Sequence, residues 1–95
     1  MNLKKFTIHA KLWRWPGDMP WYFINMDKET SAHLRSTFPK ASMIKVSASI
    51  DSTSWQTSLF RNNRDNSYLL PIKKDIRKRE GLQDGDEIKV DILIL

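Results

Sequence analysis

The sequence predicts a mainly β protein: a small six-stranded β-barrel, closed or partly open, with two short helices. Three observations lead to this fold class. Apolar and polar residues alternate along most of the chain, which is typical of strands that bury one face. The connections between these segments are short. At 95 residues the chain could hardly cover open sheet edges except by curling the sheet on itself. We expect one domain over residues 1–95, large enough to fold without disulfides.

Six segments show the two-residue alternation of a strand. They cover residues 3–13, 21–26, 43–50, 55–60, 68–70 and 88–94. Polar or proline-containing stretches at 15–20, 51–54 and 61–66 separate them and favour turns or loops. We expect the third and fourth strands to pair as a hairpin, and the last strand to be central enough to anchor the sheet.

Two short helices are predicted between the strands. Asp27 is suited to cap the first helix, which ends before Pro39. The second covers residues 72–80, because Pro71 ends the preceding strand and suits the entry to a helix. Gly81 is then a natural left-handed terminator. On this second helix we expect Ile72, Ile76 and the aliphatic stem of Arg79 to face inward, and Lys73, Lys74, Arg77 and Lys78 to face water.

Positive charge is concentrated around the second predicted helix. The formal net charge of the chain is +5. Residues 61–80 contain seven basic and three acidic side chains, so this segment carries four of the five excess charges. The residues that follow lean acidic. Such a distribution is compatible with a polyanionic partner.

Several classes of function find no support in the sequence. The absence of cysteine excludes disulfides and thiolate metal sites and fits a reducing cytoplasm. No apolar stretch has the length of a signal peptide or a membrane span, so we expect a soluble cytoplasmic protein. His9 and His33 have no acidic residue at metal-ligand spacing, and no motif supplies a base for Ser58. Three glycines cannot build a phosphate-binding loop. We therefore expect no metal, no cofactor and no catalysis.

The second half of the chain carries a specific combination of motifs. In "WQTSLFRNNRDNSYLLPIKKDIRKREGLQDGDEIKVDI" a tryptophan leads into Thr-Ser-Leu-Phe, a tyrosine precedes Leu-Pro, Arg-Lys lies in a basic helix, and Gly-Asp precedes the last strand. These residues are Trp55, Thr57, Ser58, Leu59, Phe60, Tyr68, Leu70, Pro71, Arg77, Lys78, Gly85 and Asp86. Together they resemble the domain of unknown function 1905 family (DUF1905) of small bacterial and archaeal proteins. Trp13 and "WYFINM" extend the similarity to the first half, whereas "KASMIKV" departs from it, since many members have a glycine and a tryptophan there.

The resemblance implies a double-split β-barrel and no established activity. The same barrel class includes AbrB-like regulators, whose hairpins swap between subunits to bind DNA, and "LPIKKDIRKREGLQDGDEI" is similar to their core motif. Pro71, Gly81, Gly85 and Asp86 also have structural reasons to occupy these positions, so the similarity indicates a fold before a function. Both a monomer and a hairpin-swapped dimer fit this barrel.

From these observations we expect a non-catalytic binding or structural module. Its pocket or groove would take an anionic small molecule, a peptide or a partner protein, because the family-like positions bring polar and basic groups to one aromatic strand. The candidate ligand-binding residues are Trp55, Ser58, Arg61, Tyr68, Lys73 and Arg77.

The alternative is a nucleic-acid-binding protein that uses the basic helix to neutralise phosphates. The residues concerned are Lys73, Lys74, Arg77, Lys78 and Arg79. A solvated helix face is the favoured explanation for them, because interspersed acidic residues dilute the positive field. The tryptophans at 13, 15, 21 and 55 could stack on bases or fill the core. Trp15, beside a proline in a loop, is expected to be the most exposed of the four.

Overall fold

The computed structural model describes residues 4–95 and is dominated by one antiparallel β-sheet. The described residues form seven strands and two helices: β1 (Lys5–Lys11), β2 (Trp13–Arg14), β3 (Tyr22–Asn25), α1 (Lys28–Thr37), β4 (Met43–Ile50), β5 (Thr53–Asn62), β6 (Ser67–Pro71), α2 (Lys74–Glu80) and β7 (Glu87–Ile94). The strand order is β1-β7-β4-β5-β6-β3-β2. The predicted mainly β class is confirmed. The predicted first strand began at residue 3, which lies outside the described residues.

The sheet is a curled half-barrel of seven strands, so the predicted number of six strands is wrong, and so is the closed form among the two alternatives predicted for the barrel. The predicted first strand divides at Leu12 into β1, which pairs with β7, and β2, which pairs with β3. Leu12 is fully buried, its amide donates to the Asp86 carbonyl at 2.8 Å, and its carbonyl accepts from the Gly85 amide at 2.8 Å. The turn before β7 therefore satisfies the backbone of Leu12 while the chain passes from one edge strand of the sheet to the other. Apolar alternation continues up to this residue, which is why the sequence pattern does not reveal the break.

The core lies on the concave face of the sheet and is built by the predicted alternation. Every second residue is buried along β4 and along most of β7. Strands β1 and β5 add further buried residues at alternate positions, and the two helices each contribute to the same cluster. Its fully buried members include Leu12, Ile24, Leu34, Val46, Ala48, Leu59, Tyr68, Leu70 and Val90. β7 pairs with both β1 and β4, so its predicted central place in the sheet is confirmed. Burial of this apolar surface is the main force that holds so short a chain folded.

The hairpin of β4 and β5 is confirmed and is longer than predicted. Ile50 lies opposite Thr53, so the loop contains two residues, and Asp51 has a φ of 50°. β5 continues through Arg61, which the sequence assigned to a loop, because this residue pairs with Tyr68 of β6. A polar side chain is tolerated there since Arg61 is only half-buried.

The basic helix starts two residues later than predicted. Pro71 is the last residue of β6, and the Ile72 amide donates to the Tyr22 carbonyl of β3 at 2.9 Å, which keeps residue 72 out of the helix. Ile72 and Ile76 are both buried, as expected. Gly81 ends α2 with a φ of 66° in the left-handed region, which confirms its predicted role.

Candidate binding groove

An open groove of about 730 Å³ lies where the β2–β3 loop, β3, β5, β6 and the start of α2 meet. We call it the aromatic groove. Its lining residues are Trp15, Pro20, Trp21, Tyr22, Phe23, Thr57, Phe60, Leu69, Pro71, Ile72, Lys73, Lys74 and Arg77. Aromatic and aliphatic side chains form most of this surface, and the charged ones all come from residues 73–77.

One part of the aromatic groove is formed by apolar side chains on the outer face of the sheet. Phe60 of β5 lies opposite Leu69 of β6, and Phe23 of β3 lies opposite Pro71. Opposite residues of antiparallel strands point to the same face. The outer face of such a sheet is ordinarily polar. Phe60 is nevertheless 39 % exposed, so apolar surface is left in contact with solvent here.

The β2–β3 loop contributes two tryptophans to the aromatic groove. The Trp15 amide donates to the Trp21 carbonyl at 2.7 Å, which closes the loop and holds both residues at its neck. The Trp15 ring packs against Trp13 and Phe23, with ring centroids 5.5 Å and 5.8 Å away. Trp15 is therefore half-buried, and Trp21, at 52 % exposed, is the exposed tryptophan. The expectation that Trp15 would be the most exposed is wrong, because neighbouring rings on the same sheet cover it.

Arg77 is held against the aromatic groove by two contacts. Its guanidinium carbon lies 3.9 Å from the ring centroid of Tyr22, and its Nη1 donates to the Ile72 carbonyl at 2.6 Å. The side chain is half-buried, so the prediction that it faces water is wrong. Helical periodicity could not reveal this position, because the Tyr22 ring comes from β3, far away in the sequence. The guanidinium and the Tyr22 ring form a cation–π contact, in which a cation is attracted to the face of an aromatic ring.

The charge of the aromatic groove is positive. Lys73 and Lys74 are exposed and line it together with Arg77. Among the described residues that line it there is no aspartate, glutamate or histidine. Three cations without a carboxylate in the same lining attract anions, and the apolar walls beside them reduce screening by water.

Two of the six residues predicted to bind a ligand lie in the aromatic groove: Lys73 and Arg77. Tyr68 lies in the core, where its hydroxyl donates to the Ala41 carbonyl at 3.3 Å and its amide donates to Ser31 Oγ at 3.3 Å. A fully buried tyrosine with these bonds has a structural function in the fold.

The remaining three predicted residues also lie outside the lining of the aromatic groove. Trp55 packs against the core, and its buried Nε1 has no hydrogen-bond partner in the part of the chain described. Ser58 lies opposite Lys45 on the β4–β5 hairpin. Arg61 is half-buried, with Nη2 donating to Asn66 Oδ1 at 3.5 Å and its buried Nε unpaired with any residue of 4–95. The structure therefore does not gather the six around a single cavity.

The five residues of the predicted nucleic-acid surface divide into two groups. Lys73, Lys74 and Arg77 line the aromatic groove, whereas Lys78 and Arg79 do not. Arg79 is exposed. The expectation that its aliphatic stem faces inward is therefore wrong, and Arg77 is the basic residue of this helix that packs inward.

Sequence reasoning missed most of the aromatic walls, although a signal for them exists. Tyr22 and Phe23, Leu59 and Phe60, and Leu69 and Leu70 are pairs of adjacent large apolar residues. In a strand such neighbours point to opposite faces, so one member of each pair is placed outside the core. Three such pairs in neighbouring strands predict an apolar patch on the outer face.

A second, polar cavity of about 360 Å³ lies at the start of α1. It is lined by Asn25, Met26, Asp27, Lys28, Ser31, Arg35, Asp65 and Ser67. Hydrogen bonds from the side chain and the backbone amide of Ser67 lower the pKa of Asp65 below its usual value.

Within residues 4–95 no cluster of three or more histidines and carboxylates could hold a metal ion. Neither α1 nor α2 is long and apolar enough to cross a bilayer.

Comparison with known proteins gives one family. The family model described as "Domain of unknown function (DUF1905)" matches residues 9–92. The match includes all residues that line the aromatic groove and both helices. No curated protein matches the chain.

Proposed function

The chain belongs to the DUF1905 family, as its motifs predicted, and we propose that it is a non-catalytic binding module whose aromatic groove takes an anionic ligand. The observation that carries this proposal is the presence of exposed aromatic side chains and three cations in one groove whose described lining contains no carboxylate. We also propose the double-split barrel that the family resemblance implies. The proposed location of the protein is the cytoplasm.

The apolar part of the aromatic groove supports binding of a ligand with a hydrophobic body. Trp21 and Phe60 keep much of their surface in water, and burying such rings under a ligand is favourable by about 25 cal/mol per Å². Sites for small molecules are typically clefts of roughly 300–1,000 Å³ with apolar walls and a few polar groups. A volume of about 730 Å³ and the lining residues fit this description.

The charged part supports a ligand with negative charge. Lys73, Lys74 and Arg77 line the same groove. In the lining as described no carboxylate competes with an incoming anion. Both the attraction at a distance and the hydrogen bonds at contact therefore favour an acidic group.

The lining also supports binding without catalysis. Thr57 supplies a hydroxyl to the aromatic groove, but the described lining has no histidine or carboxylate beside it that could remove its proton. A hydroxyl nucleophile is commonly activated by such a base. The groove can hold and orient a ligand, and its arginine and lysines can pair with the ligand's charge.

A fluorescence titration tests the proposal with the anionic probe 1-anilinonaphthalene-8-sulfonate (ANS). We expect saturable binding by the native protein. Phe60→Ser should weaken it by about tenfold, because the loss of roughly 1.5 kcal/mol of apolar contact corresponds to one decade in affinity.

Leu93→Ser is the matched control for this titration. Leu93 is exposed to the same extent as Phe60, at 39 %, and lies outside the aromatic groove. Its replacement should leave ANS affinity unchanged. Equal effects of the two substitutions, or no binding by the native protein, would refute the proposed function.

A second candidate function is nucleic-acid binding through the basic helix. The observation in its favour is the exposure of Lys73, Lys74, Lys78 and Arg79 in one short segment. This function predicts binding of duplex DNA or RNA with an affinity that falls steeply with salt.

A double substitution separates the two functions. Lys78 and Arg79 lie outside the aromatic groove, so Lys78→Gln with Arg79→Gln should weaken nucleic-acid binding and leave ANS binding intact. Anisotropy titrations of labelled DNA and RNA at low and at physiological salt measure the first effect. Absence of binding at low salt would remove this second candidate.

A further inference from the structure

We infer that Arg77 is the residue that recognises the anion, and that the ligand of the aromatic groove is a small, flat aromatic molecule carrying a carboxylate or sulfonate group. This inference rests on the proposed function and gives it a ligand class. Three features of the described residues carry it: the restraint of Arg77, the exposed rings in the same groove, and the size of that groove.

The guanidinium of Arg77 is already oriented before any ligand arrives. Its guanidinium carbon lies over the Tyr22 ring, 3.9 Å from the centroid, and its Nη1 donates to the Ile72 carbonyl at 2.6 Å, so two contacts restrain the group. A free arginine side chain loses considerable rotamer entropy when it binds a ligand. Because the fold already restrains the side chain of Arg77, less entropy is lost on binding, and more of the interaction energy with an anion contributes to the affinity.

Most of the hydrogen-bonding capacity of Arg77 remains for a ligand. A guanidinium has five N–H donors, and the structure gives one hydrogen bond for this side chain within residues 4–95. The planar arrangement of the other donors matches two oxygens of a carboxylate or sulfonate. A lysine presents a point charge and lacks this match, so Arg77 has a different function from Lys73 and Lys74.

The exposed rings that line the same groove as Arg77 favour a flat, apolar body attached to that anion. Trp21 and Phe60 are exposed, and both line the groove that Arg77 lines. A planar ligand would cover their faces, which is worth more than the contact of an aliphatic chain because stacked rings gain energy beyond their buried area.

The size of the aromatic groove favours a small molecule over a macromolecule. About 730 Å³ is within the usual range for sites of drug-sized ligands. A stable protein partner typically covers roughly 800 Å² on each side, which requires a more extended apolar surface than this groove provides. The lining is cationic throughout its charged part, so a second copy of this basic chain is a poor electrostatic match.

The test compares ANS with N-phenyl-1-naphthylamine, a neutral probe that has the same rings and lacks the sulfonate. Both are titrated into the native protein and into Arg77→Gln, Arg77→Lys and Lys78→Gln. Lys78→Gln removes one charge from the same helix outside the aromatic groove, and circular dichroism checks that each variant is folded. If Arg77→Gln proves unstable, Arg77→Lys replaces it in the comparison, because this variant keeps the positive charge.

We expect the native protein to prefer ANS over the neutral probe. Arg77→Gln should weaken ANS binding by about tenfold, as expected for loss of a charged hydrogen bond, and leave the neutral probe within about twofold of native affinity. Arg77→Lys should recover only part of the ANS affinity, because lysine cannot reproduce the planar fork. Lys78→Gln should change neither.

Other results would overturn the inference. If both probes bind but the preference for ANS survives Arg77→Gln, Arg77 does not recognise the anion, while the proposed function stands. If neither probe binds, or if Phe60→Ser leaves both unchanged, the proposed function itself fails. A further titration adds an acidic tryptophan-containing peptide or a DNA duplex to the ANS complex. If either displaces ANS at a concentration lower than the ANS concentration that saturates the protein, the groove binds a macromolecule.

Discussion

Tyr68 illustrates how one residue can match a family motif and still have its function inside the core. Its ring is fully buried, and its hydroxyl donates to the Ala41 carbonyl at 3.3 Å. The sequence predicted a ligand contact here, because Tyr68 is one of the family-like positions that bring polar and basic groups to one aromatic strand. Only the pairing of β5 with β6 decides which face of the strand the ring occupies.

Tyr68→Phe should therefore lower stability without affecting ligand binding. We expect a loss of about 1 kcal/mol, since one partly buried hydrogen bond is removed while the ring is retained. Urea denaturation measures the stability, and ANS titration measures the binding. Weaker ANS binding with unchanged stability would return Tyr68 to the ligand site.

Asp65 provides a second prediction at the scale of single residues. Hydrogen bonds from Ser67 lower its pKa, so in the folded state its carboxylate is favoured relative to the unfolded chain. The resulting contribution to stability is present above the pKa of the unfolded chain and is lost as the pH falls through the lowered pKa of the folded state.

Ser67→Ala removes the side-chain bond to Asp65 and keeps the bond from the backbone amide. We expect the pKa of Asp65 to rise toward its ordinary value. NMR titration of the carboxyl carbon follows this change directly. An unchanged pKa would show that the backbone bond alone is responsible.

Among the elements, α2 shows most clearly where sequence patterns are informative. Its termination at Gly81 and the burial of Ile76 were predictable, because they depend on local backbone geometry and spacing. Its start and the inward position of Arg77 were not, because they depend on the Tyr22 carbonyl and ring. Those contacts join elements that are distant in sequence.

Gly81→Ala tests the geometry at the end of α2. Gly81 has a φ of 66°, and a Cβ there would meet no atom within 4 Å. The cost is therefore confined to the left-handed backbone, and we expect a loss of about 1 kcal/mol in unfolding free energy. Gly81→Asn should cost less, because asparagine tolerates this conformation better. Equal stability of the alanine variant and the native protein in urea would contradict this assignment.

The aromatic groove follows from the assembly of the sheet and could be predicted only in part. Its cationic residues stand out in the sequence as a basic segment. Its walls come from β3, β5 and β6, whose adjacency is set by long-range pairing. Phe60, for example, has no feature in the sequence that marks it as part of a groove. Only the pairing of β5 with β6 brings it opposite Leu69, so that the two side chains share one face of the sheet.

The whole molecule depends on the passage of the chain from β1 to β2. Leu12 lies at this point, fully buried, and joins the two edge strands of the curled sheet. We expect Leu12→Ala to cost about 3 kcal/mol, as is usual for large-to-small changes in a core. Leu93→Ala, on the exposed face of β7, is the control and should cost less than about 0.5 kcal/mol. Thermal or urea unfolding compares the two, and a cost near 1 kcal/mol or below at Leu12 would mean that this junction does not hold the sheet together.

The most direct measurement of the central claim is a ¹H–¹⁵N NMR titration with ANS that follows the four tryptophan indole N–H signals. Trp15 and Trp21 line the aromatic groove, whereas Trp55 packs against the core and is not among the residues that line the groove. A ligand site in this groove predicts that the signals of Trp21 and Trp15 shift with saturation while that of Trp55 stays in place. A shift of Trp55 alone, or no shift of Trp21 at saturating ANS, would contradict the account.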